Sequence, residues 1–519
     1  MKNTHKMEPH AASLSRVYLW GLAARRAPFT LRIFLVLLLA GVTWLLYFYG
    51  LDRVGLLSAD EPRYASIGRE MARSSDWVTP RLWGEPWFEK PVLLYWLIGA
   101  GFRLGLPDEL AARVPVALFS VCFLVFYWWW LSRQFDTRIA SYSTLILSTS
   151  AGWLSFSQTG VTDLPLSASF AAAMLLAMPW ATGGSAARLP LAGALMGVAV
   201  LAKGLVPLIL AGPLLWFGLW HRRPRHLVLP FLIAATVSLP WYLLCYKLHG
   251  STFFNDLIIK QHFSRFFTNE LQHGQPFWFY LPVLAAGLFP WTPLLGLLYY
   301  LKDSFHQDIR IRYLTAWFVM GFLFFSLSNN KLPGYLVPLL PAAAALIGIH
   351  LAQGSIRVRA WLASCALLLS LIPVIGLILP EALREGLSRT TFPPIQWTYP
   401  IAGLAAAGLI LRWGTPHRDR SLALLTVGIL LGVLSIKQFT YPRLDEMVSA
   451  RGIWRRIAHP DQVCLEALNR TIVYGLNFYS GTPLPLCEDQ PRLMRLIERN
   501  GEVVMEKNTG PAGRAERLQ

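Results

Sequence analysis

The sequence contains little charge, and acidic residues are the scarcer charged group. Only 15% of the 519 residues are charged, and 29 Asp and Glu stand against 47 Lys and Arg, which gives a formal net charge of +18. Soluble domains carry about 25% charged residues, so this composition excludes an ordinary soluble protein. The basic residues are spread among short loops between apolar runs. This distribution argues against a nucleic-acid partner and is typical of membrane topology.

Several common catalytic signatures are missing as well. The sequence has no glycine-rich phosphate loop, HExxH zinc motif or nucleophile elbow, and it shows no internal repeat or low-complexity tract. It therefore gives no support to P-loop, zincin or serine-hydrolase chemistry. The missing repeat also counts against a transporter, because many transporters are built from repeated halves.

Apolar residues are what the sequence has in abundance. They make up 54% of the chain, and the mean hydropathy is +0.43. A transmembrane helix needs about 20 of them in succession. We predict an all-α polytopic membrane protein with thirteen spans, at residues 33–51, 110–131, 139–157, 164–181, 188–202, 204–220, 227–247, 278–300, 313–328, 334–352, 359–380, 398–411 and 421–436.

The basic loops predict how the chain is oriented. Clusters of Lys and Arg at the N-terminus and in alternate loops fall on one side of the thirteen spans. The positive-inside rule then makes the N-terminus cytoplasmic and exports the C-terminus. Three long segments are exported with it, residues 52–109, 248–277 and 437–519. We divide the chain into a transmembrane domain, residues 1–436, and a small C-terminal domain, residues 437–519.

The exported segments contain short predicted elements of their own. In the first loop, Tyr64–Arg73 and Pro91–Leu104 look like helices lying on the outer membrane surface. The tail predicts a small α/β domain. Its helix is expected at Leu444–Ile457, and its β-prone pieces lie at Val463–Leu465, Thr471–Tyr474 and Glu502–Met505.

Cysteine is scarce, with five residues in the chain. Cys122, Cys245 and Cys365 fall in predicted spans, where a free cysteine is most simply a packing residue. Cys464 and Cys487 fall in the exported tail, and an oxidising compartment permits a disulfide there. We predict that these two residues are bridged.

Three carboxylates fall at the outer ends of predicted spans. Asp60 and Glu61 follow the first span, and Asp163 follows the third in the stretch QTGVTDLP. Such a group can bind a divalent cation, or one member can act as a general base. Adjacent acids at a span end are also consistent with simple solvation. Asp163 favours function, because an isolated carboxylate in an apolar stretch is costly unless it serves a site.

Basic side chains are predicted on the same side of the membrane. Arg63 and Lys90 lie in the first loop, Lys203 interrupts LAKGLVPLIL, and Lys331 follows the ninth span in SNNKLPGY. A single lysine at a membrane boundary often snorkels to the interface. Several at the ends of different spans indicate an anion site, such as a lipid-linked phosphate.

A metal site is a further possibility in the exported loops. His262 could ligate zinc or manganese together with a carboxylate of the first loop. A surface histidine without a metal is the alternative reading of the same residue.

Seven motifs, in order, carry a resemblance. The motifs are SADEPRYASIGREM, SSDWVTPRLWGEPWFEKPVLLYW, TDLP, LAKGLVPLIL, QHFSRF, PWT and SNNKLPGYLVPLLP. The chain resembles the protein-mannosyltransferase-like superfamily of membrane glycosyltransferases, and within it the bacterial aminoarabinose transferases that modify lipid A. The likeness covers about residues 30–350. It implies a C-type glycosyltransferase (GT-C) fold of about thirteen spans in the bacterial inner membrane, a polyprenyl-phosphate-linked sugar donor and catalysis on the periplasmic face.

The same resemblance implies roles for individual residues. Asp60 would be the catalytic carboxylate and Asp163 its acidic partner near the acceptor. We add Glu61 to the catalytic candidates because it is adjacent to Asp60 at the span end. The donor phosphate would be held by Arg63, Lys90, Lys203, Lys331 and Tyr335. Glu89 and His262 match positions implicated in binding a divalent metal, which would be zinc, magnesium or manganese. Gln261 departs from the pattern, because an acidic residue is expected beside that histidine.

We therefore expect an inverting transfer of a sugar from a polyprenyl phosphate to a lipid or protein acceptor at the membrane, with lipid A as the leading candidate. Alternative enzymes are a protein O-mannosyltransferase-like protein and a transferase acting on another envelope glycan. A transporter of lipid-linked sugars is a different class, and a membrane-anchored binding module formed by the tail is a third. The outward position of the ionisable residues favours an enzyme.

Overall fold

The structure is a computed structural model that describes residues 29–264, 274–300, 302, 305–353, 358–387, 389–392, 394, 398–413, 417–499 and 502–508. The α-helices up to the middle of the chain are α1 (Phe29–Tyr47), α2 (Asp60–Ser74), α3 (Leu93–Arg103), α4 (Asp108–Gln134), α5 (Thr137–Thr149), α6 (Ala151–Ser157), α7 (Asp163–Ala181), α8 (Leu189–Lys203), α9 (Val206–Leu210), α10 (Gly212–Trp220) and α11 (Val228–Phe253). A short antiparallel pair lies between α2 and α3 and consists of β1 (Arg81–Leu82) and β2 (Glu85–Pro86).

The second half continues the bundle and ends in a small sheet. Its α-helices are α12 (Tyr280–Gly287), α13 (Ile309–Leu327), α14 (Leu340–Gln353), α15 (Val358–Leu369), α16 (Ile372–Glu385), α17 (Thr398–Trp413), α18 (Arg418–Ser435), α19 (Tyr441–Met447), α20 (Ala450–Trp454) and α21 (Arg470–Ser480). The strands are β3 (Val463–Glu466), β4 (Met494–Arg499) and β5 (Glu502–Lys507). Short 3₁₀ segments lie at Pro224–Leu227, Phe277–Phe279, Thr292–Tyr300, Pro333–Leu339 and Pro460–Gln462, and π-helical segments at Phe254–Ser264 and Ile436–Thr440.

The protein is an all-α polytopic membrane protein with a small C-terminal sheet. Among the described residues, six helices are long and apolar enough to cross a membrane, and eight if each of two bent pairs forms one span. Four further apolar helices are shorter. Helices occupy every predicted span, but the count of thirteen is not confirmed. One reason is that several spans are broken: residues 139–157 form α5 and α6, which separate at the extended backbone of Ser150.

The centre of the bundle is formed by two helices that are rich in small residues. Asp163–Ala181 is 94% buried and Pro333–Gln353 is 89% buried, whereas Pro224–Gln261 and Arg418–Met447 are each 22% buried. Alanines at 171–173 and 342–345 are buried on the two central helices. Small side chains let neighbouring helices approach closely in a membrane. Asp163 therefore begins a helix at the centre of the bundle.

The long first loop, residues 52–109, contains two packed helices, α2 and α3. Acidic residues occupy the first turn of α2, where the helix dipole favours negative charge, and Ser75 ends it in a left-handed conformation. Gly68 lies against α3, and a Cβ atom there would meet the Ile98 side chain at 2.5 Å. Both predicted helices of this loop are present. The first begins earlier than predicted, at Asp60.

The tail combines helices with a three-stranded sheet. The sheet order is β3-β4-β5, with β3 parallel to β4 and β4 antiparallel to β5. The predicted strands at Val463–Leu465 and Glu502–Met505 are confirmed. The predicted strand at Thr471–Tyr474 is wrong, because the Asn469 side chain accepts from the Thr471 N–H and begins α21 there.

Two further predictions for the tail concern a helix and a disulfide bond. The predicted helix Leu444–Ile457 is broken into α19 and α20 at Ser449, whose hydroxyl accepts from the Arg451 N–H. The predicted disulfide is present and joins Cys464 to Cys487, with their Cα atoms 4.9 Å apart. The bridge encloses the whole of α21.

Candidate active site

Asp60 and Arg63 form an ion pair at the N-terminal end of α2. Arg63 Nη2 lies 2.5 Å from Asp60 Oδ1 and 2.9 Å from Glu89 Oε2. The Asp60 side chain is 47% exposed and the Arg63 side chain 6% exposed. Burial lowers the pKa of Arg63, but the neighbouring acids raise it by more, so the guanidinium stays charged. One buried cation thus orients an accessible carboxylate.

Lys90 extends this arrangement on the other side of Glu89. Its Nζ lies 3.2 Å from Glu89 Oε1, and its side chain is 11% exposed. Two of the predicted phosphate ligands, Arg63 and Lys90, are therefore brought together by one carboxylate. Glu89 holds them side by side next to Asp60.

Glu61 has a different environment from Asp60, although the two are adjacent in the chain. Arg113 Nε and Nη2 donate to its two oxygens at 2.7 Å each, and the Leu57 N–H and Gly160 N–H donate at 2.8 Å each. The Glu61 side chain is 1% exposed. A carboxylate enclosed by four donors is fixed in place and acts as a structural anchor. We therefore assign Glu61 no catalytic role.

The Glu61 anchor also connects the two carboxylate-bearing segments. Gly160, which donates to Glu61 Oε1, lies three residues before Asp163. Asp60 begins α2 and Asp163 begins α7. The hydrogen bond between Glu61 and Gly160 links the starts of these two helices. The sequence predicts Asp60 and Asp163 at the same outer end of the bundle, and this hydrogen bond connects the two segments that carry them.

Asp163 forms a second, more enclosed ion pair. Its Oδ1 lies 2.6 Å from Lys203 Nζ, and the two side chains are 14% and 15% exposed. Lys203 Nζ lies 4.9 Å from the centroid of the Tyr335 ring. A Cβ atom at Gly334 would approach Asp163 Oδ1 to 2.4 Å, so glycine there leaves room for the carboxylate. Three predicted site residues, Asp163, Lys203 and Tyr335, are thus brought into contact.

Lys331 is buried without a carboxylate partner among the residues that the structure describes. Its Nζ donates to the carbonyl oxygens of Gln275, at 3.0 Å, and Ser328, at 2.5 Å. Burial lowers the pKa of this lysine. A buried ammonium whose acceptors are neutral carbonyl groups lacks a countercharge, so its position favours the binding of an anion.

The described part of the predicted metal site does not fit a divalent cation. Glu89 faces Arg63 and Lys90, whose positive charges disfavour a metal ion beside them. The side chain of His262 lies outside the described residues. Within the described part of the chain no group of three or more His, Cys, Asp and Glu side chains could hold a metal.

Two residues beside the site were not identified from the sequence. Arg113 was counted within the span 110–131, although an arginine inside an apolar run is itself a signal of a buried partner. Tyr474 lies 5.4 Å from the Arg63 guanidinium carbon and comes from the tail. No motif in the sequence points to it.

Chemically, the site offers one accessible carboxylate among several cations. Arg63 and Lys90 flank Glu89 beside Asp60, Lys203 pairs with Asp163, and Lys331 donates to backbone carbonyl oxygens. The arrangement can bind an anion and place an attacking group beside Asp60.

Known proteins resemble the chain over most of its length. Residues 89–245 match the family described as dolichyl-phosphate-mannose-protein mannosyltransferase. An undecaprenyl phosphate-α-4-amino-4-deoxy-L-arabinose arabinosyl transferase of Pseudomonas fluorescens is 31% identical, across 90% of this chain and 91% of that protein. The corresponding transferase of Pseudomonas aeruginosa is 28% identical, across 87% and 89%.

A solved structure shares the fold. The crystal structure of ArnT from Cupriavidus metallidurans bound to undecaprenyl phosphate superposes with a TM-score of 0.70, across 92% of this chain and 98% of that chain, at 24% sequence identity.

Proposed function

Since the chain belongs to the undecaprenyl phosphate-aminoarabinose arabinosyl transferase family, we propose that it transfers 4-amino-4-deoxy-L-arabinose from undecaprenyl phosphate to lipid A. It is a membrane glycosyltransferase of the GT-C class that uses a polyprenyl-phosphate-linked sugar. The identity of the sugar is inferred from the names of the relatives. Lipid A as the acceptor rests on the motif resemblance described above.

The observation that carries the proposal is the group Asp60, Arg63, Glu89 and Lys90. It supplies an exposed carboxylate that a buried cation orients, with a second cation beside it. Transfer from a polyprenyl phosphate needs both features. The phosphate leaves readily once its charge is neutralised, so cations matter more than a general acid.

In the proposed reaction an acceptor oxygen attacks the anomeric carbon of the sugar from the face opposite the phosphate. The new C–O bond forms as the bond from the sugar to the phosphate oxygen breaks, so the configuration inverts and undecaprenyl phosphate leaves with the bonding electrons. Asp60 orients the attacking group and takes its proton where that group is a hydroxyl. Arg63, Lys90, Lys203 and Lys331 stabilise the charge on the leaving phosphate, with Tyr335 beside Lys203.

Lys331 gives this assignment an electrostatic basis. Its buried ammonium donates to two backbone carbonyl oxygens and has no carboxylate partner within the described residues. A donor phosphate would supply the missing negative charge. We place the N-terminus in the cytoplasm, the C-terminus in the periplasm and the site at the periplasmic face of the bacterial inner membrane, on the basis of the basic loops.

Mass spectrometry of envelope lipids tests the function. Lipid A from cells with the gene should carry an aminopentose-sized increment that is missing when the gene is deleted and returns with a wild-type copy. Unchanged lipid A would contradict the proposal. An increment lost instead from an envelope protein would favour a protein acceptor, which the mannosyltransferase-type match of residues 89–245 makes the second candidate.

A further inference from the structure

The tail contributes an aromatic ring to the surroundings of Arg63. The Tyr474 ring centroid lies 5.4 Å from the guanidinium carbon, and the Tyr64 and Trp87 rings lie at 5.4 and 5.6 Å. Trp83 packs against Tyr474 with ring centroids 5.7 Å apart. Three rings thus surround one cation. Tyr474 alone among them comes from outside the first exported loop.

Helix α21, which carries Tyr474, is held against α2 by a contact at Phe478, one helical turn after Tyr474. Arg69 Nη2 donates to the Phe478 carbonyl at 2.5 Å, and its guanidinium carbon lies 4.2 Å from the Phe478 ring centroid. Phe478 is buried in a cluster with Leu56, Ala65 and Ala112. Residues four apart share a helix face, so Tyr474 and Phe478 both face α2.

A polar network around Arg451 and Tyr479 also holds α20 and α21 of the tail against the first loop. Arg451 donates to Glu109 Oε1 at 3.0 Å and to the carbonyl oxygens of Asp52 and Arg53 at 2.8 Å each. The Tyr479 hydroxyl donates to Glu109 Oε1 and accepts from the Leu56 N–H, both at 3.0 Å. These buried contacts make the position of α21 well defined relative to α2.

Arg63 also retains an unused donor. Its Nε is buried and makes no hydrogen bond within the described part of the chain. Burying an N–H without an acceptor is costly, so the group is suited to an acceptor that arrives with a ligand. The Arg63 guanidinium carbon lies over the Tyr474 ring, and attraction of the cation to this ring limits its movement while its N–H groups stay available for hydrogen bonds.

We propose that Tyr474 is a positioning residue for Arg63. Its ring holds the guanidinium in place beside Asp60 and Glu89, so that the Arg63 Nε–H is available to a phosphate oxygen of the donor. The tail thereby takes part in donor binding without touching the reacting atoms. This inference rests on the proposed function only in that the ligand is a polyprenyl phosphate.

Binding of undecaprenyl phosphate to the purified full-length protein tests the proposal. Tyr474→Leu removes the ring, and we expect it to weaken this binding and raise the KM for the donor by roughly three- to thirtyfold, with a smaller change in kcat. Tyr474→Phe keeps the ring and should restore most of the affinity. A merely structural role would not predict this difference between donor binding and turnover.

Phe478→Leu is the matched control, because it removes a ring from the same face of α21 that lies over Arg69 instead of Arg63. It keeps the Phe478 carbonyl that accepts from Arg69 and the contacts of Arg451 and Tyr479, so α21 and Tyr474 should stay in place. It should lower the thermal stability of the protein while leaving the affinity for undecaprenyl phosphate unchanged. Equal losses of affinity in Phe478→Leu and Tyr474→Leu would overturn the proposal, as would wild-type affinity in Tyr474→Leu or an equal loss in Tyr474→Phe.

The probe separates this inference from the proposed function. If the wild-type protein binds undecaprenyl phosphate but transfers no aminoarabinose, the proposed function fails, and the three variants still decide the role of Tyr474. If the wild-type protein does not bind undecaprenyl phosphate, both are overturned.

Discussion

Arg113 donates two hydrogen bonds of 2.7 Å to the Glu61 carboxylate, in the core directly behind Asp60. The same guanidinium donates to the carbonyl oxygens of Leu51, Val54 and Gly55. The pair therefore fixes the chain that leads into α2 and, through Gly160, the chain that leads into α7. Two adjacent acids have separate tasks: Glu61 anchors the loop, and Asp60 faces the open side of the site.

Replacing Glu61 with Gln should destabilise the protein. The change leaves the buried Arg113 guanidinium without its countercharge, which costs about 3–5 kcal/mol for a buried pair. Thermal unfolding of the purified protein in detergent measures the loss, and Glu446→Gln, at an exposed position on α19, is the control. Normal stability with abolished turnover would instead give Glu61 a direct catalytic role.

Changes at Lys203 and Asp163 should affect different kinetic constants. Lys203→Met removes the charge that we propose binds the donor phosphate and leaves the Asp163 carboxylate unpaired, so the KM for the donor should rise roughly tenfold or more. Asp163→Asn releases Lys203 from its ion pair, so kcat should fall without a rise in this KM. Steady-state kinetics with varied donor concentration separates the two. A matching rise in KM in both variants would show that the pair acts only as a structural unit.

The pH dependence should report on Lys331. Burial lowers its pKa below the ordinary 10.5, so its charge is lost at a lower pH than that of a free lysine. As pH rises through that lowered pKa, the site loses a positive charge and the KM for the anionic donor should increase. Lys331→Arg keeps the charge, so the alkaline loss of donor affinity should move to higher pH. Identical profiles for the two proteins would exclude Lys331 from donor binding.

Loss of the tail disulfide should loosen α21. The bond between Cys464 and Cys487 closes a loop around this helix, and removing such a bond costs about 2–4 kcal/mol. The Cys464→Ala/Cys487→Ala protein should be cleaved faster in the tail by an added protease and should melt at a lower temperature. Cys122→Ala, which removes a free cysteine elsewhere, should not change either result. Unchanged protection of the tail would show that its contacts with the first loop suffice.

The sequence allowed much of the bundle to be predicted, because long apolar runs are constrained by the membrane. Helices lie at every predicted span, but breaks such as the one at Ser150 depend on packing and change neither composition nor period. The tail was harder. The strand Met494–Arg499 carries charged residues on both sides of Leu496 and Ile497, so its residues show no clear alternation of apolar and polar side chains.

The site was predictable where a charge interrupts an apolar stretch. Asp163 and Lys203 stood out for that reason, and the structure shows that they pair with each other. Partnerships across long sequence distances could not be predicted in the same way. Glu61 resembles Asp60 in sequence and differs from it through its buried contacts with Arg113, Leu57 and Gly160. Tyr474 reaches Arg63 because the tail folds back onto α2.

The most direct test of the account is the turnover of Asp60→Asn. Purified wild-type and variant proteins in lipid vesicles would be given undecaprenyl phosphate-aminoarabinose and lipid A, with the product measured by mass spectrometry. Asp52→Asn, an exposed aspartate of the same loop, is the control. We predict that Asp60→Asn folds and binds undecaprenyl phosphate but loses about a hundredfold or more of its turnover, while Asp52→Asn does not. Turnover near the wild-type rate in Asp60→Asn would contradict the proposed mechanism.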